Sequence, residues 1–376
     1  MILLALAGAL IVTIVLWEAF ETIVLPRRVT RRWRVTRAYY RSTWVPWRAV
    51  ARRIRSLKQR ESFLSFYGPL SLLVLFVVWA TFLIFGFGLL YYSAAAGDPT
   101  RPAYRTCLYL SGTTFFTLGL GDVIPHTPFE HVMIVVESGL GFGFLALVLS
   151  YLPVIYQAFS RRETNIVLLD ARAGSPPTAG ELLRRHAADI GLEELKRLLR
   201  DWERGAAEIL ESHISYPAVS YFRSQHSNES WLGAIAAILD TCALLVAYCD
   251  DACARQARLT FAMCRHTVVD LAQVFHSAPV DAVVDRLPAG DLERIRASLT
   301  EAGMKLRLSA ASDMKLARLR HMYEPYLQTL AVFLCIELPP WILTKEATDN
   351  WRTTAWGRIT GFSAQSQKDA HADDHD

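Results

Sequence analysis

The chain has 376 residues and a formal net charge of +4, too long for one small domain, so two or three units are expected. Its apolar residues are concentrated in the first 160 positions, which argues against a uniformly water-facing chain. Six cysteines, five of them after residue 160, exclude a disulfide framework.

The first apolar run lies within Met1–Leu25, where "ILLALAGALIVTIVLW" reaches spanning length once "EAFETIVL" is added. About 20 apolar residues cross a bilayer as helix. The run lacks the basic amino-terminal region and cleavage site of a signal peptide, so residues 1–25 read as a retained transmembrane helix. Glu18 and Glu21 sit near its end, where they face Arg27 and Arg28 or reach the interface.

Residues 26–64 form a basic linker. From Arg27 to Arg60 it holds twelve Arg and one Lys with no acidic residue, which places it in the cytoplasm and the amino terminus outside. Arg28, Arg31, Arg34 and Arg37 recur at every third position, as in a voltage-sensing helix. Arg27 and Arg32 break the apolar filling, however, and only one membrane helix precedes them. The favoured reading is a helix on the membrane surface, with Trp33, Tyr39, Tyr40, Trp44 and Trp47 at headgroup level and Arg toward anionic lipids. A nucleic-acid patch is not expected so close to two spans.

Two further apolar runs follow, Phe66–Tyr92 and Phe129–Phe159, and "SRRE" at 160–163 marks a return to the inner side. Between them, Pro102–Phe116 reads as a helix of roughly 20 Å, too short to cross. It leads into "TTFFTLGLGDVIP", Thr113–Pro125. Irregular backbone at membrane depth is tolerated only inside protein or along a water-filled path.

The order helix, half-length helix, Thr117-Leu118-Gly119-Leu120-Gly121-Asp122, helix resembles the pore loop of the potassium-channel superfamily over roughly residues 65–159. The resemblance implies an all-α membrane protein with a potassium-channel-like pore module (65–159), one extra amino-terminal transmembrane helix and a mostly helical cytoplasmic domain (160–362). It implies a homotetramer in the cell membrane, potassium as permeant ion, and neither cofactor nor other metal. Backbone carbonyls of Thr117, Leu118, Gly119, Leu120 and Gly121, with the Thr117 hydroxyl, would coordinate the ion, and Asp122 would stand at the outer mouth. Such carbonyls converge only if the dihedrals alternate in handedness, which Gly119 and Gly121 permit. Gly141 matches the family's hinge glycine, although it and its neighbours Gly139 and Gly143 equally suit close packing. Phe142, Leu145 and Leu149 would line the cavity, and Pro153 would disrupt the helix near an inner gate. Glu137, inside a membrane helix, is a candidate for bracing through Thr113 or Ser111, or for sensing protons. The sequence departs from the pattern at Leu118 and Leu120, and Tyr109-Leu110 replace a tryptophan pair. A potassium-preferring filter of reduced rigidity is therefore expected.

From Glu163 onward the chain carries 23 basic and 29 acidic residues. "NIVLLDARAG" reads as a strand or an extended connector. Thr178 and Glu181 form a capping box, and Gly191 is expected to divide the helical stretch that follows. Further helices are predicted over Ser230–Cys249, Arg255–Phe275, Asp291–Gly303 and Ala311–Glu337. The first of these is apolar enough to span, but Asp240 at its centre favours a buried core helix. Cys242, Cys249 and Cys253 share a face and read as core thiols rather than a metal site. No G-x-G-x-x-G fingerprint names a gating ligand, and "SYFRSQHSNESW", 220–231, offers no catalytic constellation, so no enzyme is expected. Residues 363–376 read as a disordered tail. A different class of reading is a membrane-anchored sensor or scaffold that keeps the channel frame but conducts little.

Overall fold

Residues 1–25, 35–96, 102–187, 189–225, 229–249, 252–280 and 285–343 are described by a computed structural model. Arg28, Arg31, Arg34, Trp33 and the expected tail lie outside these residues. The described residues form helices and no strand. They are α1 (Ile2–Ala19, followed by a π turn, Phe20–Val24), α2 (Val35–Ala51), α3 (Leu57–Ser65), α4 (Tyr67–Ala94), α5 (Tyr104–Phe115), α6 (Pro128–Ala173) and α7 (Ala179–Arg185). Then come α8 (Asp189–Ser215), a 3-10 turn (Pro217–Tyr221), α9 (Trp231–Tyr248), α10 (Ala252–Val274), α11 (Ala289–Glu301), α12 (Ala310–His321) and α13 (Glu324–Leu334).

The chain divides into two units, one of residues 1–159 with 214–223, the other of 160–213 with 224–376. In the first unit, glycines set the helix contacts. A Cβ on Gly8 of α1 would lie 2.6 Å from the carbonyl oxygen of Gly86 on α4. One on Gly88, further along α4, would lie 2.8 Å from Leu108 of α5. Small residues let apolar helices approach backbone to backbone where no hydrophobic force drives them together. Glu18 is buried, and Arg27 and Arg28, its expected partners, lie outside the described residues. Its carboxylate accepts hydrogen bonds from the backbone N–H groups of Val35 (3.0 Å) and Thr36 (3.1 Å) and from the Thr36 hydroxyl (2.8 Å). A carboxylate at the amino-terminal residues of a helix interacts favourably with its dipole.

The aromatic residues of α2 pack on neighbouring helices. Trp44 is 2% exposed and packs on Tyr67, Trp47 stacks on Phe63, and the Tyr39 hydroxyl donates to the Ser71 carbonyl at 2.7 Å. Aromatic rings bury large areas, and here the apolar face of α2 is covered by protein.

The second unit surrounds α9, every residue of which is buried. Helices α7, α10, α12 and α13 pack on it. Four helical stretches among the described residues are long and apolar enough to cross a membrane, at 2–24, 57–94, 128–173 and 231–248. The last is wholly enclosed by protein, whereas no more than half of the most apolar window is buried in the others. Asp240 in α9 meets Arg286 at 2.5 Å and accepts from the Tyr323 hydroxyl at 2.6 Å, as a core helix requires of a buried charge.

Several expectations change. "NIVLLDARAG" is helical as far as Ala173, within α6, because Ile166, Leu169 and Ala173 recur at helical spacing and are fully buried. Pro153 lies inside α6 without ending it. Gly191 belongs to α8, and the break before it comes at His186–Ala187, where a Cβ on Gly191 would touch the His186 backbone at 2.9 Å. The predicted helix Ala311–Glu337 is two, divided at Met322–Tyr323 ahead of Pro325. The Thr178 hydroxyl does cap α7, accepting from Glu181 N–H at 3.4 Å, but the Glu181 carboxylate turns to Arg184 and Arg185. Those guanidinium groups hold it down to about 2.

Candidate functional site

The half-length helix α5 begins after Pro102 and rises about 18 Å over its length. At its end the Phe116 N–H bonds to Gly112 O at 3.1 Å, Thr117 N–H to Thr114 O at 2.9 Å and Leu118 N–H to Thr113 O at 2.7 Å. The helix is thereby capped, and the chain leaves it in a new conformation. Thr117, Gly119 and Gly121 have φ of 56°, 54° and 77°, whereas Leu118 and Leu120 between them are not left-handed. Every second residue from 117 to 121 thus has left-handed φ. The two glycines adopt it without steric cost, and no atom lies within 4 Å of where their Cβ would be. Thr117 is the unexpected member, since a β-branched residue at positive φ is uncommon and strained. The whole segment from Thr117 to Asp122 is exposed on the single chain.

Three side-chain contacts hold this segment and its helix. The Tyr109 hydroxyl donates to Asp122 Oδ2 at 2.8 Å, tying the residue after Gly121 back to α5. Glu137 of α6 is fully buried and accepts from Ser111 Oγ at 2.5 Å and from the Tyr91 hydroxyl of α4 at 2.7 Å. Thr113 is not part of that clamp, because its hydroxyl donates to Leu110 O at 3.0 Å. The third contact follows the segment. Glu130 Oε2 accepts from the His126 and Thr127 N–H groups at 2.8 and 3.1 Å, and the Thr127 hydroxyl accepts from Glu130 N–H at 3.2 Å. This capping box opens α6 and was readable as Thr127-Pro128-Phe129-Glu130, though sequence reasoning passed over it.

On α6, a Cβ at Gly141 would lie 2.0 Å from the carbonyl oxygen of Phe115, so this glycine is required for contact with α5. Gly139 and Gly143 have no atom within 4 Å of that position. Phe142, Leu145 and Leu149 point away from the chain, with 69%, 56% and 63% of their surfaces exposed. They form a stripe at helical spacing, and Pro153 continues it. Arg37, in the first turn of α2, is half-buried. Among the described residues no group of three or more His, Cys, Asp or Glu is arranged to hold a metal.

Residues 71–157, from α4 to the middle of α6, match a family model described as "Ion channel". The chain is also similar to the uncharacterized membrane protein YdjJ of Bacillus subtilis (strain 168), with 22% identity over 242 residues. That similarity covers 62% of this chain and 69% of the relative. No solved structure matches. These similarities and the apolar helices support a multi-pass membrane protein of ion-channel type, with the matched segment enclosing α5 and residues 117–122.

Proposed function

We propose that four copies of this chain assemble a potassium-preferring channel for passive cation flow across the cell membrane. The observation that carries this reading is the alternating left-handed backbone at Thr117, Gly119 and Gly121, directly after a helix too short to cross. A potassium ion must exchange its water shell for a ring of oxygens, and successive carbonyls facing one way supply such rings. The carboxyl end of α5 carries partial negative charge toward the same region. One chain contributes a single wall, and exposure of 117–122 on that chain fits closure by symmetric copies. The stripe of Phe142, Leu145 and Leu149 would line the cavity, Pro153 would mark the inner end, and Asp122 would add negative potential at the mouth.

The amino terminus would be outside and the second unit cytoplasmic, where it biases α6 open or shut. Anionic lipids would meet Arg37 and the basic residues before it. Potassium preference rests on the coordinating carbonyls, which Leu118 and Leu120 retain. Leu120 offers no hydroxyl to brace the filter, so a less rigid one is expected.

Purified protein in liposomes, with opposed potassium and sodium gradients, tests this. The expected reversal potential lies toward the potassium equilibrium value, and Gly119→Asp abolishes the current. Equal permeability to the two ions removes the potassium preference. A folded tetramer without any flux would favour the sensor or scaffold reading instead.

A further inference from the structure

The ten residues from Ile214 to Arg223 belong to the first unit, although the chain on both sides of them belongs to the second. This excursion is centred on the 3-10 turn Pro217–Tyr221, where Ala218, Val219, Ser220 and Tyr221 are all buried. Its aromatic residues reach three helices. Tyr221 stacks on Tyr40 of α2, with ring centroids 5.5 Å apart and planes 6° from parallel. The Trp44 and Tyr67 rings close on the same tyrosine at 5.0 and 5.2 Å. Phe222 lies where a Cβ on Gly68 of α4 would come 2.7 Å from its ring, so glycine is needed there to seat it.

Contacts with α6 fall on both sides of Pro153. Tyr216 meets Tyr151 edge to face at 5.6 Å, while Phe222 meets Tyr156 at 5.9 Å and Phe159 at 5.7 Å. Arg223 then pairs with Glu61 of α3 at 3.5 Å. Within the second unit, the flanking residues hold one turn of α6. Arg162 Nη1 lies 3.4 Å from His213 Nε2, and the Ser224 hydroxyl donates to Glu163 Oε1 at 3.1 Å.

One short segment thus meets α2, α3, α4 and, on both sides of Pro153, α6. The seat is also not the most stable that this surface could offer. Ser220 Oγ is buried without a hydrogen-bond partner, which penalises the seated state relative to a hydrated one. A short 3-10 turn has little stability of its own away from the pocket. The seated state therefore depends on the ring contacts with the neighbouring helices.

We propose that Tyr216–Arg223 is a coupling clasp, which when seated ties α6 on both sides of Pro153 to the base of α4 and to α2, and so sets how often the pore is open. The inference rests on the channel reading above. In a pore built around α6, α4 lies on the side away from the axis. The seated clasp therefore opposes convergence of the α6 helices and favours the open state.

The test uses the full chain. In single-channel recordings, Tyr221→Ala lowers open probability at least tenfold with unitary conductance and reversal potential unchanged, while Tyr221→Phe, which keeps the ring, retains the wild-type value. Arg223→Glu lowers open probability in the same way, and adding Glu61→Arg restores it. Hydrogen exchange on the detergent-solubilised protein provides a readout that needs no current. Tyr221→Ala accelerates exchange in 216–223 and also in residues 151–159 of α6. Unchanged open probability in a folded Tyr221→Ala tetramer, or altered conductance, overturns the clasp. If the wild type carries no current, the channel reading fails by itself, and faster exchange confined to 216–223 separately shows that the segment does not restrain α6.

Discussion

Ser111 on α5 and Glu137 on α6 are joined by a hydrogen bond of 2.5 Å, and the Tyr91 hydroxyl of α4 completes the clamp at 2.7 Å. Three helices that meet at a carboxylate with no solvent exposure are fixed relative to one another. Residues 117–122 emerge from α5 six residues after Ser111, so their position depends on that clamp. Glu137→Ala leaves the buried Tyr91 hydroxyl without its acceptor, at a cost of about 1–3 kcal/mol, while the Ser111 hydroxyl can still turn to the Ile84 carbonyl at 3.0 Å. Glu137→Gln keeps an acceptor oxygen for one hydroxyl and turns an amide N–H₂ toward the other. Thermal unfolding of the detergent-solubilised protein is expected to rank wild type above Gln and Gln above Ala. Equal stability of the two variants would show that the hydrogen bonds contribute nothing.

The glycines of α6 and of the loop separate two kinds of cost. Gly141→Ala places a methyl group 2.0 Å from the Phe115 carbonyl, so α5 and α6 must separate. Overpacking of this kind costs typically about 1–3 kcal/mol. Gly139→Ala and Gly143→Ala meet no atom within 4 Å and are expected to leave stability unchanged or raise it slightly, through better helix propensity. Gly119→Ala likewise meets nothing, yet its φ of 54° carries a conformational penalty of about 1–2 kcal/mol. Folded yield and midpoint of unfolding should therefore fall most for Gly141→Ala, less for Gly119→Ala, and not at all for Gly139→Ala.

What was readable in the sequence was local. Handedness at Gly119 and Gly121 is written into the residue type, and the capping box at Thr127 and the hydroxyl cap at Thr178 lie in four-residue patterns. Pairing between apolar helices is different. Gly8 and Gly86 pack against each other, yet neither stands out in a run where every neighbour is also apolar. Trp44 and Tyr40 looked like lipid-facing aromatics because nothing nearby in the chain shows that Tyr221, more than 170 residues later, covers them. "NIVLLDARAG" is a short apolar run, which suits a strand or a helix equally until its burial pattern is known. In the sequence Ser111 and Thr113 suit Glu137 equally, and only geometry separates the two.

His213 makes the second unit sensitive to acid. Burial first, then the adjacent Arg162 guanidinium, holds its imidazole well below the usual histidine range. The folded state therefore keeps it neutral while the unfolded chain takes up a proton below about pH 6.5. Stability is fully present above that value and is lost as pH falls toward the depressed folded value. The slope from one such group approaches about 1.4 kcal/mol per pH unit. Hydrogen exchange of α8 and α9 amides in the full chain, corrected for intrinsic rates, should show less protection at pH 5 than at pH 7. In His213→Gln that difference should shrink even though overall protection is lower. An unchanged slope would assign the acid sensitivity to another group.

The ion pair between Asp240 of α9 and Arg286 separates a buried charge from a membrane-spanning helix. Arg286 reaches Asp240 at 2.5 Å and also donates to the Pro339 carbonyl at 2.9 Å, while Glu324 lies 3.7 Å away. Asp240→Ala leaves a guanidinium that is almost fully enclosed with a weaker set of partners, at a cost of about 3–5 kcal/mol. Removing both charges with similar volume, as in Asp240→Leu with Arg286→Met, avoids desolvating either group and should recover most of that loss. The Tyr323 hydroxyl still loses its acceptor and the Pro339 carbonyl its donor, each at about 1–3 kcal/mol, so the recovery should fall short of wild type. Denaturant unfolding of the full chain, followed through hydrogen exchange of the α9 amides, measures the three stabilities. A double variant no more stable than Asp240→Ala would mean that the pair acts through shape alone.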